Sequence, residues 1–334
     1  MIRTLKKTIS LISSVVPKRN KRVVVYSLWR HGNTEIFYNE VVDSYPNLEI
    51  KRFSKNELFG LNHKSLKNLL FFYTARFIVT SHGPCEFKSP TQIHISVFHG
   101  VPLKRIGLIS PEMVPGKFPS NYINKNIDYH VVSSFLSGAL FSSSWNIPER
   151  KMLYFGEPIL DEITKVINKN KRSKEQILYC PTWRKDDSYI VSFMKHAESR
   201  PKILWTVSPH PADFAKCEKI VTQANLKNVT LHKGGSLDII HEFEHVYIDI
   251  SSIFYYLIFA GATITIFFPD KDNYLQEFGS LFSKFEIFGF PEGSTTHTIR
   301  SEQSETLKKL FFADYSGGAS SKIADFISNF YLKS

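Results

Sequence analysis

From residue 22 onward, short apolar runs rich in Val, Ile, Phe and Tyr alternate with longer stretches whose apolar residues recur at helical spacing. The runs RVVVYSL (22–28), LEIKRF, RFIVTS (76–81), IHISVF (93–98), YHVVSS (129–134) and KMLYFG (151–156) predict strands. The stretches TEIFYNEVVDSY, HKSLKNLLFFYTA and FLSGALFSSSW predict helices between them. Strands separated by helices imply parallel pairing through βαβ units. The pattern fades in the polar stretch VINKNKRSKEQ (166–176) and then restarts. ILYCPTW, KILWTVS, NVTLHK, HVYIDIS and ATITIFF predict a second set of strands, with helices near 188–198, 211–224, 236–243 and 252–260. The expected class is α/β: two similar halves facing a cleft, with a first domain over 21–165 and a second over 166–334. Ligands of such sheets sit beyond the carboxyl ends of the strands.

Residues 1–20 form a separate tail. Ile2, Leu5, Ile9, Ile12 and Val16 recur at steps of three and four, one stripe of a helix that Pro17 ends. The net charge is +11, and residues 1–22 carry +7 of it with no acid, leaving +4 for the rest. That concentration argues against a nucleic-acid-binding face, which would interleave basic and aromatic residues over the fold. A basic amphipathic helix suits an anionic membrane surface, and equally a plain surface helix covering the first domain. The longest apolar run, IFYYLIFAGATITIFF (253–268), is broken by Gly261 and threonines and predicts helix, turn and strand rather than a membrane span. Cys85, Cys180 and Cys217 stand far apart with no CxxC spacing, which suggests neither a disulfide framework nor a zinc site and leaves a reducing, cytoplasmic compartment as the default.

Four strand ends carry candidate chemistry. In SVFHGVPLKRIG (96–107), His99, Gly100, Pro102, Lys104 and Arg105 suit a general base beside an anion clamp, or a solvated basic turn. YCPTWRKD (179–186) ends a strand in Thr182, Trp183 and Arg184, with Arg184 either an anion ligand or a surface cation against Trp183. TVSPHPAD (206–213) holds His210 between prolines, with Pro211 also fit to open the next helix. In YIDISSIFYYLIFAG (247–261), Asp249 closes a strand, and Ser251 and Ser252 open a helix, where they either meet a phosphate or cap the helix.

The ordered series resembles the CDP-glycerol glycerophosphotransferase family, the primases and polymerases of teichoic acid and related bacterial polymers. Phe98, His99, Gly100, Pro102 and Lys104 match its first element, and Pro181, Thr182, Trp183 and Arg184 its second. His210 and Pro211 keep the core of the third, and Asp249, Ser251 and Ser252 that of the fourth; FGEPILD (155–161) is similar to its Gly-x-Pro-x-x-Asp step between domains. Three positions depart from the family pattern: Ser208 for an arginine, Ile250 for a tyrosine and Tyr255 for an acid.

The resemblance implies a GT-B-like fold of two Rossmann-type domains, the second holding the nucleotide. It implies transfer of glycerol phosphate, or a related polyol phosphate, from CDP-glycerol or another CDP-alcohol to a lipid-linked or polymeric acceptor, releasing CMP at the inner face of the bacterial membrane. His99 is the expected base; His210, Arg184, Ser251 and Ser252 are expected to meet the pyrophosphate, assisted by Lys104. No cofactor is required on this reading, and Asp270-x-Asp272 reads as a solvated turn in preference to a metal site. A nucleotide-sugar glycosyltransferase, or a non-catalytic membrane-associated or nucleic-acid-binding protein, are the alternatives. Nothing in the sequence specifies an oligomeric state.

Overall fold

The computed structural model describes residues 13–27, 32–59, 63–81, 85, 87–101, 106–109, 126–167, 172–269 and 296–330. The chain divides into two compact units. The first comprises the described residues of Met1–His99, Pro115–Glu162 and Phe312–Ser334; the second comprises those of Gly100–Val114 and Ile163–Phe311.

The first unit is built on six parallel strands: β1 (Arg19–Tyr26), β2 (Glu49–Phe53), β3 (Ala75–Thr80), β4 (Ile93–Ser96), β5 (Tyr129–Val131) and β6 (Met152–Leu153), in the order β2-β1-β3-β4-β5-β6. Successive side chains of a strand point to opposite faces, yet Val23, Val24 and Val25 are all fully buried. Val23 and Val25 join Phe37, Val41, Ile323 and Ile327 on one face, and Val24 joins Leu58, Phe72 and Ile78 on the other. A sheet covered on both faces is the environment in which a continuous valine run is stable. Pairing of Tyr26 with Thr80 and of Thr80 with Ser96 brings the carboxyl ends of β1, β3 and β4 level.

The second unit has β7 (Ser173–Cys180), β8 (Leu204–Val207), β9 (Val229–Leu231), β10 (Phe243–Ile248), β11 (Thr263–Phe267) and β12 (Thr296–Thr298). Their order is β12-β11-β10-β7-β8-β9, parallel except for the antiparallel edge strand β12. Counted from β7, this is the Rossmann order 3-2-1-4-5-6, whose strand order reverses between β7 and β10. Cys180 pairs with Ile248 and Tyr179 with Val207, so the segments leaving β7, β8 and β10 emerge side by side.

Three boundaries differ from the sequence expectation. The second domain does not run to the C-terminus: the helix Ala319–Ser328 buries Ile323, Ala324 and Ile327 in the core of the first unit, while Phe326 and Phe330 meet Tyr129 edge-on at 4.9 and 6.1 Å. The motif FGEPILD makes the seat for this return. Gly156 has φ +82°, a Cβ there would collide with the Tyr315 ring, and Asp161 accepts the Tyr315 hydroxyl at 2.7 Å and the Ser320 amide at 3.2 Å. The tail is shorter than expected as well. Arg19 and Asn20 already belong to β1, and Arg22 forms a bidentate ion pair with Glu49, both contacts at 2.8 Å. Lys18 donates to the Tyr73 carbonyl at 2.7 Å. The apolar stripe from Ile2 to Ile12 lies outside the described residues.

The expected polar junction is also narrower than 166–176. The helix Pro158–Ile167 runs into it, and Lys174, Glu175 and Gln176 form the exposed first half of β7. That half of the strand is solvated, so it carries no apolar pattern.

Candidate active site

In the first unit the site begins where β4 ends. Phe98 has φ +41°; the other described non-glycine residues with positive φ are Asn146 and Asn225, both at helix C-termini where asparagine tolerates that conformation. For an aromatic residue such backbone costs about 1–3 kcal/mol and persists only when its surroundings hold it. Here the Phe98 ring meets Trp145 edge-on at 4.7 Å and Phe141 at 5.1 Å, both from the helix Phe135–Trp145. Its opposite partner is His99, stacked at 3.9 Å between centroids.

His99 is exposed, and its Nδ1 lies 2.9 Å from the carbonyl oxygen of Ser81, just beyond β3. A carbonyl only accepts, so Nδ1 carries the hydrogen and the neutral ring keeps its lone pair on Nε2. The imidazole is thereby held as a base. In the β2-β1-β3-β4 order the sheet reverses between β1 and β3, so Ser81 stands at the switch point of this sheet.

Beneath it lie two buried histidines. His94 donates from Nδ1 to the Asn126 carbonyl at 2.6 Å and accepts the Thr80 hydroxyl at 2.7 Å. His130 is enclosed by Phe98, Phe141 and Trp145, and neither of its ring nitrogens has a hydrogen-bond partner among the described residues. Burial drives their pKa values down, His94 to about 4 and His130 to about 3.

In the second unit Gly100 is buried with φ +111°, and a Cβ there would come within 3.1 Å of the Tyr256 hydroxyl and 3.4 Å of the Ser252 Cβ. Only glycine fits. Pro102, Lys104 and Arg105 lie outside the described residues, as do Asp270 and Asp272.

The segments after β7 and β10 meet at the sheet's reversal point. Asp249 accepts the Thr182 amide at 2.9 Å and the Thr182 hydroxyl, and it ion-pairs with Arg184 at 2.9 Å. The Arg184 and Asp249 side chains are only 3% and 1% exposed. The resemblance implied a pyrophosphate contact for Arg184 and a place among the substrate-binding residues for Asp249. In the structure each holds the other: the guanidinium also donates to the Thr182 carbonyl at 3.0 Å and lies against the rings of Tyr189 and Phe268. Their place is behind the surface, tying the Pro-Thr-Trp-Arg turn to the Asp-x-Ser-Ser turn. Asp213 extends this chain by accepting the Arg184 amide at 3.0 Å, the Tyr189 hydroxyl at 3.0 Å and Lys216 at 3.0 Å.

What faces outward is a smaller set. His210 is exposed and caps the turn Pro211–Asp213, its Nδ1 accepting the Ala212 N–H at 3.2 Å. The proton of the neutral ring is therefore on Nε2, the reverse of His99, and this imidazole presents a donor. Pro211 supplies the first residue of that turn and is exposed. Ser251 accepts the Ile253 amide only at a long 3.4 Å, and the Ser252 side chain makes no capping hydrogen bond among the described residues although it immediately precedes the helix Ile253–Ala260. Thr182, Trp183, Ser251 and Ser252 are all half-buried at this edge.

The three departures from the family pattern have packing reasons. Ser208 is fully buried and pairs with the Ser236 hydroxyl at 3.0 Å. Ile250 is 1% exposed, and Tyr255 lies between Phe254 and Phe311 with its hydroxyl pKa pushed up by burial. An acid in the place of Tyr255 would have to ionise in an apolar core.

Ser81 and Asp213 were not legible as site residues. Ser81 acts through its own main-chain carbonyl, which has no side-chain signature, and Asp213 reads as an ordinary first-turn acid.

Two doubly wound sheets with unusual side chains at their carboxyl ends define a GT-B-like α/β protein. Solved structures share the fold. The wall teichoic acid polymerase TagF soaked with CDPG superimposes with a TM-score of 0.75 at 16% identity, covering 99% of this chain and 93% of that one. A UDP-GlcNAc 2-epimerase from Neisseria meningitidis bound to UDP-GlcNAc gives 0.55 at 11% identity, covering 94% of this chain and all of that one. The family model for CDP-glycerol:poly(glycerophosphate) glycerophosphotransferase matches residues 9–289, and the chain belongs to that family. A teichoic acid glycerol-phosphate transferase of Staphylococcus aureus is 31% identical over 121 residues, 30% of this chain and 31% of the relative. A teichoic acid poly(glycerol phosphate) polymerase of Bacillus subtilis is 26% identical over 217 residues, 55% of this chain and 29% of the relative. The chain thus spans under a third of the length of these curated relatives.

Proposed function

We propose that the protein transfers glycerol phosphate, or a related polyol phosphate, from a CDP-alcohol to a hydroxyl of a lipid-linked or polymeric acceptor in the synthesis of a bacterial surface polymer. The observation that carries this reading is the opposite tautomers of two exposed histidines at family motifs: His99 offers a lone pair and His210 an N–H. The acceptor oxygen attacks the β-phosphorus and the bond from that phosphorus to the bridging oxygen breaks. CMP leaves, while the acceptor proton passes to Nε2 of His99 and on to solvent. A base of near-neutral pKa suits a hydroxyl nucleophile. Phosphoryl transfer rests on positioning and charge stabilisation. His210 Nε2–H and the Ser251 and Ser252 hydroxyls supply donors for the diphosphate, with Arg184, Asp249 and Thr182 fixing the turns that carry the serines. Lys104 and Arg105 add charge on this reading.

These groups serve without a metal, so CMP release persists in excess chelator. The reading places the enzyme at an anionic membrane face through the basic residues that precede β1; no helix among the described residues is long and apolar enough to cross a membrane. Flotation on anionic vesicles, lost on deletion of residues 1–12, tests that placement.

Donor screening tests the reaction. CMP release from CDP-glycerol or CDP-ribitol, with a raised melting temperature in their presence, is the expected result. Release of UDP or GDP from nucleotide sugars, with none of CMP, would overturn the reading in favour of a glycosyltransferase.

A further inference from the structure

We propose that Asn33 is a positioning residue for His99. The inference rests on the reading of His99 as the base. Asn33 opens the helix Asn33–Val41, far in sequence from every motif, and its side chain is buried. Its amide nitrogen donates toward three oxygens: the Val97 carbonyl at 3.1 Å, the Phe98 carbonyl at 3.1 Å and Glu157 Oε2 at 3.0 Å. Its carbonyl accepts the Ile159 N–H at 2.8 Å, so one primary amide joins the turn before His99 to the segment after Gly156.

That turn needs holding. Phe98 sits at φ +41°, a conformation with no support from its residue type, and its ring stacks on the imidazole at 29° between planes. The direction of the His99 ring is set by this stack and by the hydrogen bond to Ser81. The stack depends on the Phe98 backbone staying where Asn33 fastens its carbonyl. A carboxamide is the group for the task, because it donates to the oxygens and accepts the N–H at once. Asn33→Asp would remove the donors, and Asn33→Leu would remove donors and acceptor together.

Full-length protein with 15N-labelled histidine provides the test, read together with steady-state CMP release from CDP-glycerol. In the wild type His99 shows its hydrogen on Nδ1. Asn33→Ala is expected to move the His99 resonances toward a mixture of tautomers and to lower kcat by about 10–100-fold, the loss expected when a reacting group is misplaced by an ångström or less. Donor KM stays within about twofold, because the donor-binding turns of the second unit are untouched. Phe98→Leu keeps the apolar bulk and removes the stacked ring. It is expected to act in the same direction, and it carries the test if Asn33→Ala does not fold. Wild-type kcat in folded variants would overturn the proposal, and so would a lowered kcat with an unchanged His99 spectrum, which signifies general damage. His99→Ala separates this inference from the reading beneath it. If that variant turns over normally, His99 is not the base; if it is inactive while Asn33→Ala matches the wild type, the positioning role alone fails.

Discussion

Replacing Asp249 with asparagine removes one negative charge and little else, which makes it a direct probe of the buried pair in the second unit. The carboxylate faces Arg184 at 2.9 Å with side-chain exposures of 1% and 3%, and asparagine can still accept the Thr182 amide. The variant removes the Asp249 charge from a guanidinium that lies buried against Tyr189, Phe268 and the Thr182 carbonyl. Breaking such a pair from one side costs about 3–5 kcal/mol, whereas removing both charges is often close to neutral. Against a typical total of about 5–15 kcal/mol, the single variant loses a large share of its stability. Arg184→Met alone is expected to destabilise similarly, and the Arg184→Met/Asp249→Asn double variant to recover at least half of that loss. Urea unfolding at pH 7.5, followed by circular dichroism, gives the four corners of the cycle. A cost under about 1 kcal/mol for Asp249→Asn, with additive effects in the double variant, would show a solvated Arg184 free to meet a ligand and would refute the assignment.

The buried histidines of the first unit predict an acid limb of stability. His130 is held neutral down to about 3 and His94 to about 4, while both protonate near 6.5 when unfolded, so below pH 6.5 the unfolded state binds more protons and stability falls as the pH is lowered. At pH 5 each costs about 2 kcal/mol relative to pH 7.5; His130→Phe, suited to the aromatic cage, should remove its share of the slope, and an unchanged slope in urea titrations would contradict the burial. Gly156→Ala forces a side chain at φ +82° onto Tyr315 and is expected to cost more than about 1 kcal/mol and to open the 312–330 segment to limited proteolysis; wild-type resistance would disprove that seat. Gly100→Ala is expected to raise donor KM, with Tyr256→Phe in the same chain partly restoring it; unaltered KM would show that the Gly100 approach to Ser252 is unimportant for the donor.

The two sheets were legible because burial on both faces imprints continuous apolar runs such as VVV at 23–25 and ITIFF at 264–268. The helix Phe135–Trp145 and the helix Ser188–Glu198 fall where the pattern placed them. The return of the C-terminal helix was not legible, since Ile323 and Ile327 show an apolar face without naming the sheet it covers. At the candidate site, motif spacing singled out His99, His210 and the serine pair, of which both histidines are exposed and both serines half-buried. It did not show that Arg184 and Asp249 bury against each other, because a charged residue beside a motif carries no mark of its partner until packing supplies one. Asn33 was invisible because its work is done on main-chain carbonyls, which every residue has.

Single-turnover release of CMP from CDP-glycerol by the wild type, His99→Ala and His210→Ala tests the central claim most directly. A base and a phosphate-directed donor predict that each variant retains its fold and slows the step by about 10²–10⁴-fold. Turnover within about twofold of the wild type in either folded variant would contradict the account.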